Sequence, residues 1–239
     1  MVTSINHLGN YRDLLQRFKD SAYAFKFFGE QSSSHGEIIL RHDIDFDTHM
    51  ALKMAQIETD LGIKSTYFFL IRSSLYNIFS AKDYDQVLAI KALGHKIGIH
   101  FDPTIYPDFH SGLAQEIELF KHFFQEEVNT ISLHRPNDFF QTYDAPIHGV
   151  EHTYQSKYFK KIKYFSDSRG SFRFGHPFES TEFKEGKSIQ LLIHPIWWMT
   201  KGIDNLEKLR VYYEKRREDL KTDFFNNCIP FREIYETVQ

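Results

Sequence analysis

Apolar residues recur along the chain in two alternating periods. Tyr11, Leu14, Leu15 and Phe18 fall at helical spacing behind Asn10, a residue suited to capping a helix start, and the polar stretch Gln31 to Gly36 then reads as a loop. EIIL (Glu37 to Leu40) runs into RHDIDFD as a strand. Met50, Met54, Ile57 and Leu61 follow at spacings of three and four before Gly62, a natural helix stop. The unit repeats. STYFFLI (Ser65 to Ile71) is strand-like, Ala81 to Leu93 is helical with Gly94 behind it, and KIGIH (Lys96 to His100) is a strand. Leu113 to Glu127 predicts another helix, and TISLH (Thr130 to His134), KYFSD (Lys163 to Asp167) and SIQLLIH (Ser188 to His194) three more strands, with a late helix from Asn205 to Leu220. Asn137 to Lys161 shows no period and is too long for an ordinary connection, so it is expected to be a substrate-binding insertion. Strands separated by helices imply parallel pairing through right-handed crossovers, hence an α/β fold. Periodicity alone leaves barrel and open sheet both open.

Composition narrows the class. The 239 residues, 41% hydrophobic and 26% charged, suit one globular domain spanning 1–239 and exclude disordered, collagen-like and coiled-coil chains. The net charge of −3, without a long basic block, argues against nucleic acid as partner and for a small molecule. Cys228 is the only cysteine, which rules out an intramolecular disulfide framework. MVTSINHLGN lacks the charged and apolar regions of a signal peptide, and no stretch approaches the ~18 apolar residues of a membrane span. A soluble, cytoplasmic protein is expected.

The ionisable residues carry the chemistry. Asp43 and Asp45 end the first strand of the series, His100 the third and His134 the fourth, while Asp167 and His194 end two later ones. In parallel α/β architectures these C-terminal ends share one face, where active sites form. Alternation along RHDID places Asp43 and Asp45 on one side of the strand and His42 and Ile44 on the other. Two carboxylates that close call for a cation or a shared proton, and His100 and His134 supply nitrogen ligands. Two imidazoles and one carboxylate make a site for a first-row divalent metal with an open position for water, zinc first, cobalt or nickel as alternatives. Gly98, on the same face as His100, is expected to leave room beside the metal. His95, next to the glycine that ends a helix, reads as structural, Arg41 and His42 as ion-pairing with neighbours, and EKRRED (Glu214 to Asp219) as a solvated helix face. No role falls to His7, His35, His49, His110, His122, His148 or His152.

From Ile38 to Trp198 these motifs resemble the polysaccharide deacetylase family, the NodB-like metal-dependent carbohydrate esterases. The resemblance implies a distorted (β/α) barrel of about seven parallel strands with its active site at the strand C-terminal ends. RHDID resembles the first family motif, implying Asp43 as base and Asp45 as metal ligand. GHKIGIHFD resembles the second, with His100 as ligand. SLHRP is similar to an arginine-proline motif lining the groove, matched by Arg135 and Pro136. FSDSRG stands where the family has a residue orienting the base, which gives Asp167 or Arg169. LLIHPIWW resembles the last motif, with His194 as general acid. The chain departs from the pattern where Ile44 separates aspartates that are usually adjacent, leaving base and ligand exchangeable. It departs again at Thr104, where the family carries a further histidine. The third ligand is then expected at His134, with Asp102 as the alternative.

The expected reaction is metal-dependent hydrolysis of an N-acetyl group, in preference to an O-acetyl group, from a sugar or polysaccharide precursor. Trp197, Trp198, Phe172 and Phe174 are candidates for stacking on sugar rings, and Arg135, Arg169 or Arg173 for a substrate phosphate. Two rival readings stand beside it: a metal-dependent amidohydrolase acting on a small non-sugar amide, and a non-catalytic carbohydrate-binding relic without metal.

Overall fold

The computed structural model describes residues 8–31 and 36–237, so His7, His35 and most of the loop expected at Gln31 to Gly36 lie outside the described residues. The chain divides into two compact units, one being Leu8–Met199 and the other containing the described residues from Thr200 onward.

The larger unit is a parallel α/β structure. Its strands are β1 (Ala24–Lys26), β2 (Glu37–Ile44), β3 (Thr66–Phe69), β4 (Lys96–Phe101), β5 (Thr130–Leu133), β6 (Glu151–His152), β7 (Lys163–Ser166) and β8 (Ile189–Ile193). Seven of them form a curled sheet in the order β6-β5-β4-β3-β2-β8-β7, and β1 pairs with the first half of β2. Every pairing is parallel, as the crossover pattern requires. The helices are α1 (Tyr11–Asp20), α2 (Thr48–Asp60), α3 (Ala81–Ala92), α4 (Phe109–Phe124) and the shorter α5 (Asp138–Thr142), α6 (Ser156–Phe159), α7 (Thr181–Lys184) and α8 (Pro195–Met199). Asn10, Asp47 and Ser80 cap the first three through side-chain oxygens, on Asp13 N, Met50 N and Asp83 N.

All eight residues of β2 are buried, which fits a central strand covered on both faces. Ile38, Leu40 and Ile44 join the outer core with Leu14 and Leu15 of α1 and Met54 and Ala55 of α2. Ile39 faces inward with Phe28, Phe68 and Tyr158. The end strands β6 and β7 do not pair among the described residues, so side chains bridge the gap. Gln190 of β8 donates to the carbonyls of Thr153 (3.3 Å) and Tyr158 (2.5 Å), and the Arg41 guanidinium lies between the Tyr154 and Tyr164 rings. The outcome is the distorted barrel the motifs imply.

On the outer face of β2, His42 meets a buried acid. Glu58 of α2 accepts from His42 Nε2 (2.7 Å), Ser65 Oγ (2.5 Å) and the Tyr11 hydroxyl, and His95 Nδ1 lies 3.4 Å away. His95 also accepts from the Ser65 amide at 3.2 Å, which is the structural role expected of it. Gly98 corrects an expectation. A Cβ built there would lie 2.9 Å from the Phe68 ring, so the space it leaves is filled by the barrel interior and not by the metal site.

The insertion from Asn137 to Lys161 holds α5, β6 and α6, elements too short to register as a period. The second unit contains α9 (Asn205–Asn227) and α10 (Ile229–Thr237); Asp204 caps α9, and Phe231 packs on Phe224 at 5.5 Å. Glu214 to Glu218 are exposed, as a solvated face should be. No helix among the described residues is long and apolar enough to cross a membrane.

Candidate metal centre and active site

Strand register brings the site together. His100 stands opposite Ser132, and Phe101 opposite Leu133, so His134 emerges beside His100. His42 pairs with Ile193, which sets the next residues of the two strands, Asp43 and His194, side by side. All six ionisable residues expected at strand ends therefore meet at one mouth of the barrel.

Three of them form a compact donor triangle. His100 Nε2 lies 3.2 Å from Asp45 Oδ1, His134 Nδ1 lies 3.4 Å from the same oxygen, and the two nitrogens are 3.0 Å apart. Asp102, the alternative third ligand, is instead spent within its own loop, accepting from Thr104 N (2.9 Å) and Oγ1 (2.6 Å). His100 is oriented from behind, its Nδ1 lying 3.3 Å from the Ser132 carbonyl. A carbonyl only accepts, so Nδ1 carries the hydrogen and the Nε2 lone pair faces the triangle.

This arrangement fits a divalent cation. Donors bound at ~2.0–2.1 Å around a tetrahedral ion sit roughly 3.3–3.4 Å from one another, close to the three separations found. Asp45 Oδ1 is buried without a hydrogen-bond partner. Burial alone would raise the Asp45 pKa, but His100 and His134 beside it, with His194 behind, hold it well below the ordinary value. Burial pulls His100 down, and Asp43 and Asp45 more than reverse it, leaving the pKa raised. Three carboxylates, Asp43, Asp45 and Asp167, gather here against the buried Arg41 guanidinium and His194, an acid-rich setting that suits a cation.

Asp43, 2% exposed, stands next to the triangle, its Oδ2 lying 3.9 Å from His100 Nε2. That oxygen accepts from Ser132 Oγ (2.8 Å) and from Arg41 Nη2 (3.3 Å), while Oδ1 has no partner. Arg41 is itself fixed by Gln190 Oε1 at 3.1 Å. Sequence reasoning gave neither Arg41 nor Ser132 a part in the site. The signal for Arg41 was present, since alternation puts residues 41, 43 and 45 on one face; Ser132 offered none beyond its place in SLHRP.

His194 Nε2 lies 4.0 Å from Asp45 Oδ2. Its Nδ1 bonds Asp167 Oδ1 at 2.6 Å. Burial would lower the His194 pKa, but the charge and hydrogen bond of Asp167, joined by Asp45 and Asp43, carry it up to about 9. Asp167 thus holds the histidine and not Asp43, whose partners are Arg41 and Ser132. Arg169 and Arg135 are exposed and left-handed, at φ 63° and 46°. Trp197 is buried at 8% exposure, whereas half-buried Trp198 donates its indole N–H to Asp167 Oδ2 at 2.7 Å. Phe174 is 89% exposed and Phe172 is half-buried.

No family model and no curated protein matches the chain. Among solved structures, it is similar to a chitin deacetylase from the fungal pathogen Colletotrichum lindemuthianum, with 13% identity, TM-score 0.45, and 80% of this chain and 86% of that one covered. It is similar to a family 4 carbohydrate esterase from Streptomyces lividans in complex with acetate, at 10% identity and TM-score 0.41, covering 74% and 85%. A third similar structure is a CE4 family pseudoenzyme from Bacillus anthracis, at 11% identity and TM-score 0.42; 79% of this chain is covered, and the chain spans 63% of that protein.

Proposed function

We propose that the protein is a metal-dependent deacetylase that hydrolyses an N-acetyl group on a sugar. The donor triangle of Asp45, His100 and His134, flanked by a carboxylate with one bare oxygen and by a protonated histidine, is the observation that carries this reading. The NodB-like motif order supports it. Zinc is the ion best suited to two imidazoles and a carboxylate.

When bound, the ion supplies Lewis acidity that activates water and an acyl oxygen at neutral pH. Asp43 Oδ1 takes the proton from the attacking water, while Arg41 and Ser132 hold the other carboxylate oxygen still. The new C–O bond forms as the carbonyl π bond opens. Collapse breaks the C–N bond, and His194 Nε2 delivers a proton to the departing nitrogen, giving acetate and a free amine. With its pKa raised to about 9, His194 holds that proton at neutral pH. Base and acid thus both stand beside the triangle, and the raised pKa of His194 keeps on it the proton that the departing nitrogen needs.

Acetate release from a panel of N-acetylated and O-acetylated sugars and small non-sugar amides tests the reading. Zinc-loaded wild type should release acetate from an N-acetyl sugar, and Asp43→Asn should not. Turnover of the non-sugar amides alone would replace the proposal with an amidohydrolase, and metal binding without turnover of any of them would refute it.

A further inference from the structure

Asp167 is fully buried and both of its carboxylate oxygens accept hydrogen bonds. Oδ1 accepts from His194 Nδ1 (2.6 Å) and the His194 amide (3.1 Å); Oδ2 accepts from the same amide (3.0 Å) and from Trp198 Nε1 (2.7 Å). The Trp198 indole is thus a donor to Asp167 that does not belong to His194. Its position follows from the sequence. In HPIWW the chain turns into α8 directly after His194, and residue 198 comes round one helical turn later over the residue it follows by four. The indole is fixed in turn. Its ring meets Tyr11 edge-on, centroids 5.5 Å apart, and the Tyr11 hydroxyl is tied to Glu58 in the buried polar cluster behind β2; Phe172 flanks it at 6.4 Å.

We propose that Trp198 is a positioning residue for the general acid, and not a sugar-stacking residue: its N–H locks the Asp167 carboxylate in the rotation that keeps His194 Nδ1 bonded and His194 Nε2 aimed at the leaving nitrogen. This rests on the deacetylase reading. The chain Glu58, Tyr11, Trp198, Asp167, His194 joins the packed interior to the proton donor, so the imidazole is oriented by groups that do not touch substrate. Without the indole, Oδ2 keeps only the His194 amide it shares with Oδ1, and the terminal torsion of aspartate is broad and soft, so the carboxylate gains rotational freedom.

Trp198→Phe keeps an aromatic ring against Tyr11 and removes only the donor. The test compares two acetyl compounds with different need of an acid. An amine leaves an N-acetyl sugar only after protonation, whereas 4-nitrophenolate leaves 4-nitrophenyl acetate as the anion. Trp198→Phe should lower kcat for the N-acetyl sugar about tenfold, the scale of one hydrogen bond to a charged group, with KM little changed and a much smaller loss on the ester. His194→Ala should show the same split, enlarged. Equal losses on both compounds, or a loss confined to KM for the sugar, would overturn the positioning role. Wild type that releases acetate from neither compound would overturn the deacetylase reading alone. The role is then read from the far-downfield proton resonance of the His194–Asp167 hydrogen bond, expected in wild type and lost to solvent exchange in Trp198→Phe; its persistence in both would overturn the proposal.

Discussion

Ser132 serves two groups with two different atoms, and a single substitution separates them. Its carbonyl lies 3.3 Å from Nδ1 of His100, the proposed ligand, and its hydroxyl donates to Asp43 Oδ2 at 2.8 Å. Ser132→Ala keeps the carbonyl and the β5 pairing and deletes the hydroxyl. The metal centre should therefore survive while the base is loosened. A hydrogen bond to a charged group contributes ~1.5–3 kcal/mol, and if that orientation is expressed fully at the transition state, kcat should fall between about tenfold and a hundredfold. Arg41, the remaining donor to the same oxygen at 3.3 Å, places the expected loss nearer the lower end. The assay pairs metal content by mass spectrometry with steady-state acetate release. Metal content equal to wild type with reduced kcat and unchanged KM is the expected result. Loss of metal, or an unchanged kcat, would refute the reasoning.

Other perturbations report on the frame. Glu58→Gln replaces a fully buried carboxylate by a neutral amide facing His42, Tyr11 and Ser65, and should destabilise the protein by about 3 kcal/mol in urea unfolding at pH 7, roughly 1 kcal/mol for each charge-assisted bond weakened. Burial raises the Glu58 pKa, but His42 and its other partners bring the net value below the ordinary one. Its contribution is thus present above the unfolded carboxyl pKa of ~4.3 and lost as pH falls through the lower folded value, so wild type and variant should converge in acid; a gap constant from pH 7 to pH 3 would contradict this. Gly98→Ala places a methyl 2.9 Å from the Phe68 ring and should cost ~1–3 kcal/mol by thermal melting, with metal content intact; an unchanged melting temperature would remove the packing argument.

The site was legible in the sequence where strand ends and alternation govern it. The positions of Asp43, Asp45, His100, His134, Asp167 and His194 follow from where apolar runs stop, and the register of β2, β4, β5 and β8 then brings them together. What escaped depends on contacts across the barrel. Alternation places Arg41 beside Asp43 but says nothing of Gln190, which fixes it from a residue 149 positions away. The partner of Asp167 was likewise hidden, because either Asp43 or His194 satisfies the spacing and only the folded geometry, in which Asp167 accepts from His194 and Trp198, decides. Gly98 read as space for an ion because its neighbour Phe68 lies on another strand. β1 and β6, of three and two residues, are too short for any period, and pairing with β2 and β5 defines them. The late helix extends seven residues beyond Leu220, to Asn227, through positions none of which is buried, so no apolar face marks a boundary.

Metal stoichiometry across four proteins tests the central claim most directly. Wild type, His134→Ala, Asp45→Ala and Asp102→Ala would be dialysed against limiting zinc and analysed for bound metal. About one ion per chain in wild type and Asp102→Ala, with loss in His134→Ala and Asp45→Ala, is the result the donor triangle predicts. Metal retained without His134 or Asp45, or lost with Asp102, would contradict it.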